Sequence, residues 1–275
     1  MSRSWIDGSP GDCVPVDDRG LSYADGLFET LRVDDGTPCL WARHKARLRH
    51  GCRVLGIPMP EEGVLDEEAR EYARRLGSGV LRLMLTRGSG GRGYSPPESV
   101  RPRRIWSIHP LPQWPASWLQ RGVEVGLCRT RLSAQPLLAG LKHMARLEQV
   151  MARQELGTGL AEGLMMDGQG RVIEGTMSNL FVHFDGRWWT PRIDHSGVAG
   201  VVRSLLLETG MPDGSPVAEL ETLRIDTLFA AEAMLLTNSV IGAWAVRRLA
   251  GVEFDPPLEL ARMIRERTCL TCRSD

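Results

Sequence analysis

The segment GLKHMARLEQ (residues 140–149) contains Lys142, one of only two lysines among the 34 basic residues of the chain. The other, Lys45, lies at the edge of the apolar stripe of a predicted helix. We expect its stem to run along the core and its ammonium to stay in water. Lys142 follows the apolar run LLAGL at the start of a helical segment, and such junctions present side chains into clefts. A Schiff base requires a primary amine, so only these two side chains can form one. Position alone also fits an ordinary surface lysine.

Composition and charge argue against two classes of protein. The 275 residues include 34 basic and 34 acidic residues, so the formal net charge is zero. Nucleic-acid-binding domains usually carry a basic excess and membrane-surface proteins a polybasic run, and the sequence has neither. The N-terminal stretch MSRSWIDGSPGD lacks the apolar core of a signal peptide, and no run of 18 apolar residues occurs. We therefore expect a cytoplasmic protein.

The six cysteines do not predict a metal site. They are scattered along the chain except for Cys269 and Cys272, which form the C-terminal sequence CLTC. A single C-x-x-C pair supplies half of a typical zinc site, and the sequence has no second pair. We predict no bound metal and leave the role of these two cysteines open.

The N-terminal half reads as strands and two helices. GLFETLRVDDGTPCL predicts a hairpin that turns at Asp35-Gly36. WARHKARLRHGCRVLG predicts a helix with an apolar stripe, and EEGVLDEEAREYARRLG predicts a second helix that ends at Gly77. The strands VLRLMLTRG and RRIWSIHP flank the glycine-rich loop GSGGRGYSPP. We predict an N-terminal domain over residues 1–108 and a proline-rich linker over residues 109–118.

The second half, residues 119–275, is predicted to form one further domain. It opens with the strand GVEVGLCRT, and a helix follows in which Met144, Leu147, Val150 and Met151 form one stripe. Hairpin turns are expected at Asp167-Gly168 and Asp185-Gly186, followed by a helix near GVVRSLLLETG, the strand AEAMLLTNS and a closing helix LELARMIRER. Strands and helices mix without strict alternation, so we predict an α+β fold of two α/β-type domains.

Pyridoxal 5′-phosphate (PLP) is a cofactor held by a lysine amine, and it needs further residues that the sequence offers. Its phosphate requires an arginine and backbone N–H groups at a helix N-terminus. Arg47 flanks the apolar face of its helix, and residues 197–202 (GVAGVV) read as a glycine-punctuated helix start. The pyridine nitrogen requires a charged or polar partner, and Glu174 ends the strand RVIEG. Taken singly, each candidate also fits an ordinary surface or helix-start residue.

Five segments resemble, in the same order, motifs of the fold-type IV PLP enzymes, which include branched-chain and D-amino-acid transaminases and aminodeoxychorismate lyases. The five segments are DRGLSYADGLFETLRV (18–33), RGSGGRGYS (87–95), GLKHMARLEQ (140–149), EGTMSNLF (174–181) and GVAGVVR (197–203). The second and third look specifically like those of the aminodeoxychorismate lyases. The resemblance covers nearly the whole chain.

The resemblance implies a role for each matching residue. Lys142 matches the lysine that holds PLP as a Schiff base, Arg47 in HKARL matches the phosphate-binding arginine, and Glu174 matches the partner of the pyridine nitrogen. Further cofactor contacts fall on the phosphate-binding backbone amides Val201 and Val202 and on Asn238. Substrate contacts fall on Thr30, Arg92 and Tyr94.

The implied activity is a carbon–oxygen lyase reaction of folate biosynthesis. It converts the small-molecule substrate 4-amino-4-deoxychorismate to 4-aminobenzoate and pyruvate, with Lys142 as the base. The resemblance also implies a homodimer. Two alternatives stay open at this point. One is a D-amino-acid or branched-chain aminotransferase of the same fold, and the other is a non-catalytic ligand-binding relative.

Overall fold

The computed structural model describes residues 3–270, and the architecture is α+β, as predicted. The chain divides into two compact units. The N-terminal unit comprises residues 3–112 and Leu141–Ala145, and the C-terminal unit comprises residues 113–140 and 146–270. The boundary between Pro112 and Gln113 falls inside the predicted linker.

The N-terminal unit is built on one antiparallel sheet. Its strand order is β2-β1-β6-β5-β3-β4. The strands are β1 (Ser4–Ile6), β2 (Ser9–Pro10), β3 (Gly26–Asp34), β4 (Thr37–Pro38), β5 (Gly79–Thr86) and β6 (Arg103–His109). The helices are α1 (Arg19–Tyr23), α2 (Trp41–Leu55) and α3 (Glu62–Leu76).

Local sequence signals explain the hairpin and the helices of this unit. The β3–β4 turn places Asp35 and Gly36 at φ of 49° and 73°, the left-handed region that this dipeptide favours. Helix α2 ends at Gly56, which is also left-handed at φ 63°. The predicted turn and the predicted helix are both confirmed. The core lies where α2 and α3 meet the sheet and includes the buried side chains of Leu31, Leu48, Leu65, Leu83 and Trp106.

The segment Leu141–Ala145 groups with the N-terminal unit, although it lies within residues 119–275, which were predicted as one domain. Phe28 N–H donates to the Lys142 carbonyl at 2.9 Å, and Met144 N–H donates to the Gly26 carbonyl at 3.0 Å. A Cβ on Gly26 would lie 2.8 Å from Met144 Sδ and 2.6 Å from the Leu85 carbonyl oxygen, so the packing of this segment on β3 requires glycine. The segment therefore extends alongside the first residues of β3.

The C-terminal unit is built on a mixed sheet of parallel and antiparallel strands, and the last strand in its order pairs with two other strands. The strand order is β12-β11-β10-β13-β14-β7-β8-β9, and β9 also pairs with β10. The strands are β7 (Val123–Leu132), β8 (Glu162–Asp167), β9 (Val172–Gly175), β10 (Asn179–Phe184), β11 (Arg187–Pro191), β12 (Val217–Leu220), β13 (Ala233–Asn238), β14 (Gly242–Leu249) and β15 (Val252–Glu253). The helices are α4 (Ala116–Arg121), α5 (Leu147–Gln154), α6 (Val201–Thr209), α7 (Ile225–Phe229) and α8 (Leu258–Leu270).

Helix α5 differs from its prediction. It begins at Leu147, so Met144 is not part of its stripe. Leu147, Val150 and Met151 are 77%, 50% and 57% exposed, so this apolar face does not pack into the core of its own unit. Among residues 3–270, no helix has both the length and the apolar character that crossing a bilayer requires. Cys272 lies outside the described residues.

Candidate active site

Lys142 is held over the ring of Phe28. Its Nζ lies 4.4 Å from the ring centroid, a cation–π distance for a protonated amine. The backbone hydrogen bond from Phe28 to Lys142 fixes the same pair through the main chain. Side chains alternate along a strand, so Phe28 and Thr30 share one face of β3. The hydrogen bond and the ring contact thus present the Lys142 amine next to the face that carries Thr30.

The opposite face of β3 carries Glu29, which is buried beneath α2. Its carboxylate accepts hydrogen bonds from Arg47 Nε at 2.9 Å and from Arg47 Nη2 at 2.5 Å. His44 Nδ1 lies 2.6 Å from Glu29 Oε2. Burial alone would raise the pKa of Glu29, but the charge of Arg47 and the hydrogen bonds from Arg47 and His44 outweigh it and lower the pKa to about 2. Arg47 is therefore oriented by a carboxylate that stays ionised at neutral pH.

His44 is fully buried and neutral. Burial lowers its pKa, and this effect outweighs the opposing influence of Glu29. An ionised carboxylate only accepts hydrogen bonds, so the neutral ring carries its proton on Nδ1 and donates to Glu29. Its Nε2 has no hydrogen-bond partner among the described residues. The positive charge of Lys142 is one further contribution that lowers the pKa of His44.

Arg82 is a basic residue at this site that the sequence reasoning missed. It pairs with Thr30 in the register between β3 and β5. Its guanidinium carbon lies 5.3 Å from the centroid of the Phe28 ring, and its Nε is buried without a partner among the described residues. Burial lowers the pKa of Arg82. The signal in the sequence was a single arginine inside the apolar run VLRLMLT. The chemistry it offers is an unpaired guanidinium beside Thr30.

Arg92 and Tyr94 lie in the glycine-rich loop between β5 and β6. Both side chains are exposed, Tyr94 to 88%. Arg92 makes no ion pair with a carboxylate among the residues that the structure describes. The Tyr94 ring packs edge-on against Tyr23 at 5.6 Å between centroids. The loop therefore presents one unpaired cation and one aromatic ring to the outside of the N-terminal unit.

In the C-terminal unit, Glu174 is anchored in a buried polar group. It lies at the end of β9 with only 4% of its surface exposed. Its Oε2 accepts from the Val198 N–H at 2.9 Å and from Asn179 Nδ2 at 3.2 Å. Asn179 Nδ2 also donates to the Val198 carbonyl at 2.9 Å. Asn179 thus ties the carboxylate of Glu174 to the turn that precedes α6.

The start of α6 can accept an anion. Gly200 is the N-cap and provides no side chain to cap the first N–H groups, which include those of Val201 and Val202. A Cβ on Gly200 would lie 1.9 Å from Asn179 Oδ1, and one on Gly197 would lie 2.8 Å from the Ile173 side chain. Both glycines let the turn approach β9 and β10 closely. The arrangement brings the N-terminal dipole of a helix close to Glu174.

Two buried hydroxyl groups in this unit have no partner among the described residues. They belong to Ser196 and Thr237, which are 6% and 0% exposed. Thr237 pairs with Asn179 in the register between β13 and β10. A buried hydroxyl without a partner is costly, so each of these two groups is available to hydrogen-bond a polar ligand.

Asn238, a predicted cofactor contact, is hydrogen-bonded to the backbone through both polar atoms of its side chain. Its Oδ1 accepts from the N–H groups of Val240 and Ile241, both at 2.9 Å, and its Nδ2 donates to the Met177 carbonyl at 3.0 Å. The side chain therefore stabilises the turn after β13. Thr237, one residue earlier and on the opposite face of the strand, carries one of the two buried hydroxyl groups without a partner among the described residues.

The comparisons with known proteins cover nearly the whole chain. The amino-transferase class IV family model matches residues 26–249. The aminodeoxychorismate lyase of Vibrio harveyi is 35% identical over 262 residues, which are 95% of this chain and 96% of the relative. The bifunctional aminodeoxychorismate lyase / D-amino acid transaminase of Mycobacterium tuberculosis is 27% identical over 255 residues, which are 86% of each chain.

A solved structure is also similar over nearly the whole chain. The crystal structure of 4-amino-4-deoxychorismate lyase from Pseudomonas aeruginosa superposes with a TM-score of 0.90 at 47% sequence identity. The match covers 96% of this chain and 97% of the other. The similarity therefore extends across both compact units.

Proposed function

Because the chain belongs to the amino-transferase class IV family, we propose that it is a lyase that converts 4-amino-4-deoxychorismate to 4-aminobenzoate and pyruvate in folate biosynthesis. The names of the Vibrio and Pseudomonas proteins, at 35% and 47% identity over nearly full length, support the substrate. The observation that carries the proposal is the placement of Lys142. Its amine lies over Phe28, on the strand that also carries Thr30.

The residues present fit PLP. Bound PLP supplies an aldehyde that condenses with amines and a ring that accepts electrons when a neighbouring bond breaks. We assign Lys142 Nζ to the covalent link and Glu174 to the pyridine nitrogen. For the phosphate we assign Arg47, the N–H groups of Val201 and Val202, and the partnerless hydroxyl of Thr237. Asn238 contributes by supporting the turn next to Thr237.

The protein's own groups then have defined tasks in the reaction. Lys142 Nζ, when neutral, removes the proton from the ring carbon bonded to the substrate's amino group. The bond between the neighbouring ring carbon and the ether oxygen breaks, the ring becomes aromatic, and the released enolpyruvate takes up the proton that Lys142 removed and becomes pyruvate. Glu174, held by Asn179 and the Val198 N–H, keeps a negative charge available for the cofactor ring. Arg47 keeps its orientation through Glu29.

The substrate carries two carboxylates, and two arginines suit them. The Arg82 guanidinium lies on the face of Thr30 with its Nε unpaired, and Arg92 makes no ion pair within the described residues. Arginine donates paired hydrogen bonds to a carboxylate in fixed geometry. We assign these two arginines to the carboxylates, and Thr30 and Tyr94 to further substrate contacts.

The exposed face of α5 supports a homodimer. Leu147, Val150 and Met151 lie on one short helix and are each at least half exposed. Contiguous exposed apolar side chains mark interaction surfaces in soluble proteins. We propose that a second copy of the chain covers this face, which light scattering of the purified protein tests directly. A cytoplasmic location stays a prediction.

One experiment separates the lyase from the transaminase alternative. Purified, PLP-loaded protein is supplied with aminodeoxychorismate, and 4-aminobenzoate and pyruvate are followed together. In parallel, aminotransfer from D-alanine or a branched-chain amino acid to 2-oxoglutarate is measured, because the Mycobacterium relative is named for both activities. We expect equal amounts of 4-aminobenzoate and pyruvate. Aminotransfer without 4-aminobenzoate would support the alternative.

A further inference from the structure

Arg19 reaches from α1 to the glycine-rich loop. It is a buried arginine, 3% exposed, at the first position of the helix. Its Nη1 donates to the carbonyls of Gly93 at 3.1 Å and Ser95 at 3.4 Å, and its Nη2 donates to the carbonyl of Tyr94 at 3.1 Å. One guanidinium therefore binds three consecutive carbonyls about 75 residues further along the chain.

The loop needs such an anchor because its own sequence favours many conformations. Residues 87–95 (RGSGGRGYS) contain four glycines, all at positive φ: Gly88, Gly90, Gly91 and Gly93. Glycine loses more conformational entropy than any other residue when its backbone is fixed. Hydrogen bonds from a charged donor are about twice as strong as neutral ones, so a guanidinium is well suited to offset this cost.

A second residue of α1 holds the same part of the loop. The Tyr23 hydroxyl accepts a hydrogen bond from the Gly93 N–H at 3.1 Å. The Arg19 guanidinium lies 4.8 Å from the centre of the Tyr23 ring, and Tyr94 contacts that ring edge-on. Residues 93–95 are thus bound through their backbone by two side chains of one helix.

Asp25 connects Arg19 to a neighbouring arginine that does not contact the loop tip. Asp25 Oδ2 accepts from Arg19 Nε at 2.9 Å and from Arg87 Nε at 2.7 Å. The other donors of Arg87, Nη1 and Nη2, bind the carbonyls of Gly56 and Leu55. The two arginines share one carboxylate and similar burial, but only Arg19 binds residues 93–95. Arg87 is therefore a matched control.

We propose that Arg19 is a positioning residue for substrate binding: it fixes the loop so that Arg92 and Tyr94 meet the substrate in one geometry. Arg92 lies directly before the three anchored carbonyls and carries no ion pair of its own among the described residues. Its side chain can serve a carboxylate only if the backbone around it is fixed. The inference rests on the proposed function, because that function supplies the substrate.

The test compares Arg19→Lys with Arg87→Lys in PLP-loaded protein. Lysine keeps the charge next to Asp25 but cannot reach three carbonyls with one planar group. Two quantities are measured: the rate of chymotrypsin cleavage after Tyr94, identified by mass spectrometry, and KM and kcat for aminodeoxychorismate. For Arg19→Lys we expect roughly tenfold faster cleavage and a roughly tenfold higher KM, with kcat and PLP content nearly unchanged. Arg87→Lys should leave the cleavage rate within about twofold of the parent.

Several outcomes would overturn the proposal. They are unchanged cleavage in Arg19→Lys, equal acceleration in Arg87→Lys, or faster cleavage with an unchanged KM. Tyr23→Phe removes only the hydroxyl that binds Gly93, and we expect a smaller increase in cleavage from it; it decides the question if Arg19→Lys does not fold. If the parent forms no 4-aminobenzoate, the proposed function fails, while the cleavage rates still show whether Arg19 holds the loop.

Discussion

The Arg47 guanidinium forms a two-point ion pair with the Glu29 carboxylate, with Nε to Oε1 at 2.9 Å and Nη2 to Oε2 at 2.5 Å. Glu29 is 1% exposed and Arg47 sits on the helix packed above it. A two-point pair fixes the plane of a guanidinium as well as its position. Arg47 can therefore bind a phosphate without losing much side-chain freedom on binding.

Replacing Glu29 should weaken cofactor binding. In Glu29→Gln the carboxylate charge is lost and Arg47 is no longer oriented, so we expect the Kd for PLP to rise about tenfold. Titrating cofactor-free protein with PLP and following the visible absorption band measures this Kd. The control is Asp66→Asn. It removes the charge that pairs with Lys45, another residue of α2, whose Nζ lies 2.7 Å from Asp66 Oδ1. A Glu29→Gln protein with the parent's Kd would show that Arg47 does not depend on this pair.

The same carboxylate should make stability depend on pH in the acid range. The pKa of Glu29 falls from a reference value of 4.5 to about 2 on folding. A carboxyl group with a depressed folded-state pKa stabilises the protein above its unfolded pKa, and this contribution is lost as the pH falls towards the folded value. We therefore expect the urea midpoints of the parent and Glu29→Gln to differ most above about pH 5 and to converge towards pH 2. A constant difference over that range would contradict the assignment.

Thr237 should contribute to phosphate binding and not to stability. Thr237→Val keeps the shape and removes a buried hydroxyl that has no partner among the described residues. We expect the Kd for PLP to rise about tenfold, while the thermal midpoint of cofactor-free protein stays equal or increases. Pyridoxal, which lacks the phosphate, should bind parent and variant equally. A loss of pyridoxal affinity of the same size would place Thr237 away from the phosphate.

Arg82 and Arg92 should affect substrate binding but not cofactor content. In Arg82→Ala or Arg92→Ala a carboxylate of the substrate loses its guanidinium, so we expect KM to rise roughly tenfold or more. The visible band of bound PLP should keep its intensity. Arg82→Lys retains a charge and should fall between Arg82→Ala and the parent. Parent-like kinetics in either alanine variant would refute that residue's assignment.

The sequence predicted correctly those elements whose structure depends on residues close together in the chain. The Asp35-Gly36 turn, the α2 helix and the α6 start at Val201 depend on contacts within a few residues, and all three are confirmed. Strand β14 was not identified, because its apolar run lacks clear alternation and its pairing with β7 joins segments more than 100 residues apart.

In the candidate site, too, the sequence predicted what depends on nearby residues and missed what depends on long-range contacts. Lys142 was singled out by its chemistry, but the contact of its segment with β3 is a long-range one, which is why Met144 was assigned to the wrong element. Arg82 and Thr237 became candidates only when burial showed polar atoms without partners. Glu29 stood inside a quoted motif, but its role depends on α2 folding over the strand that carries it.

The most direct test uses the fact that the chain has only two lysines. PLP-loaded protein is reduced with borohydride, digested with trypsin and searched by mass spectrometry for the pyridoxyl label. In the structure Lys45 Nζ is ion-paired with Asp66, whereas Lys142 Nζ lies over Phe28. The account predicts the label on the peptide of residues 132–146 (LSAQPLLAGLKHMAR). A label on the peptide of residues 44–47 (HKAR), or on no peptide, would contradict it.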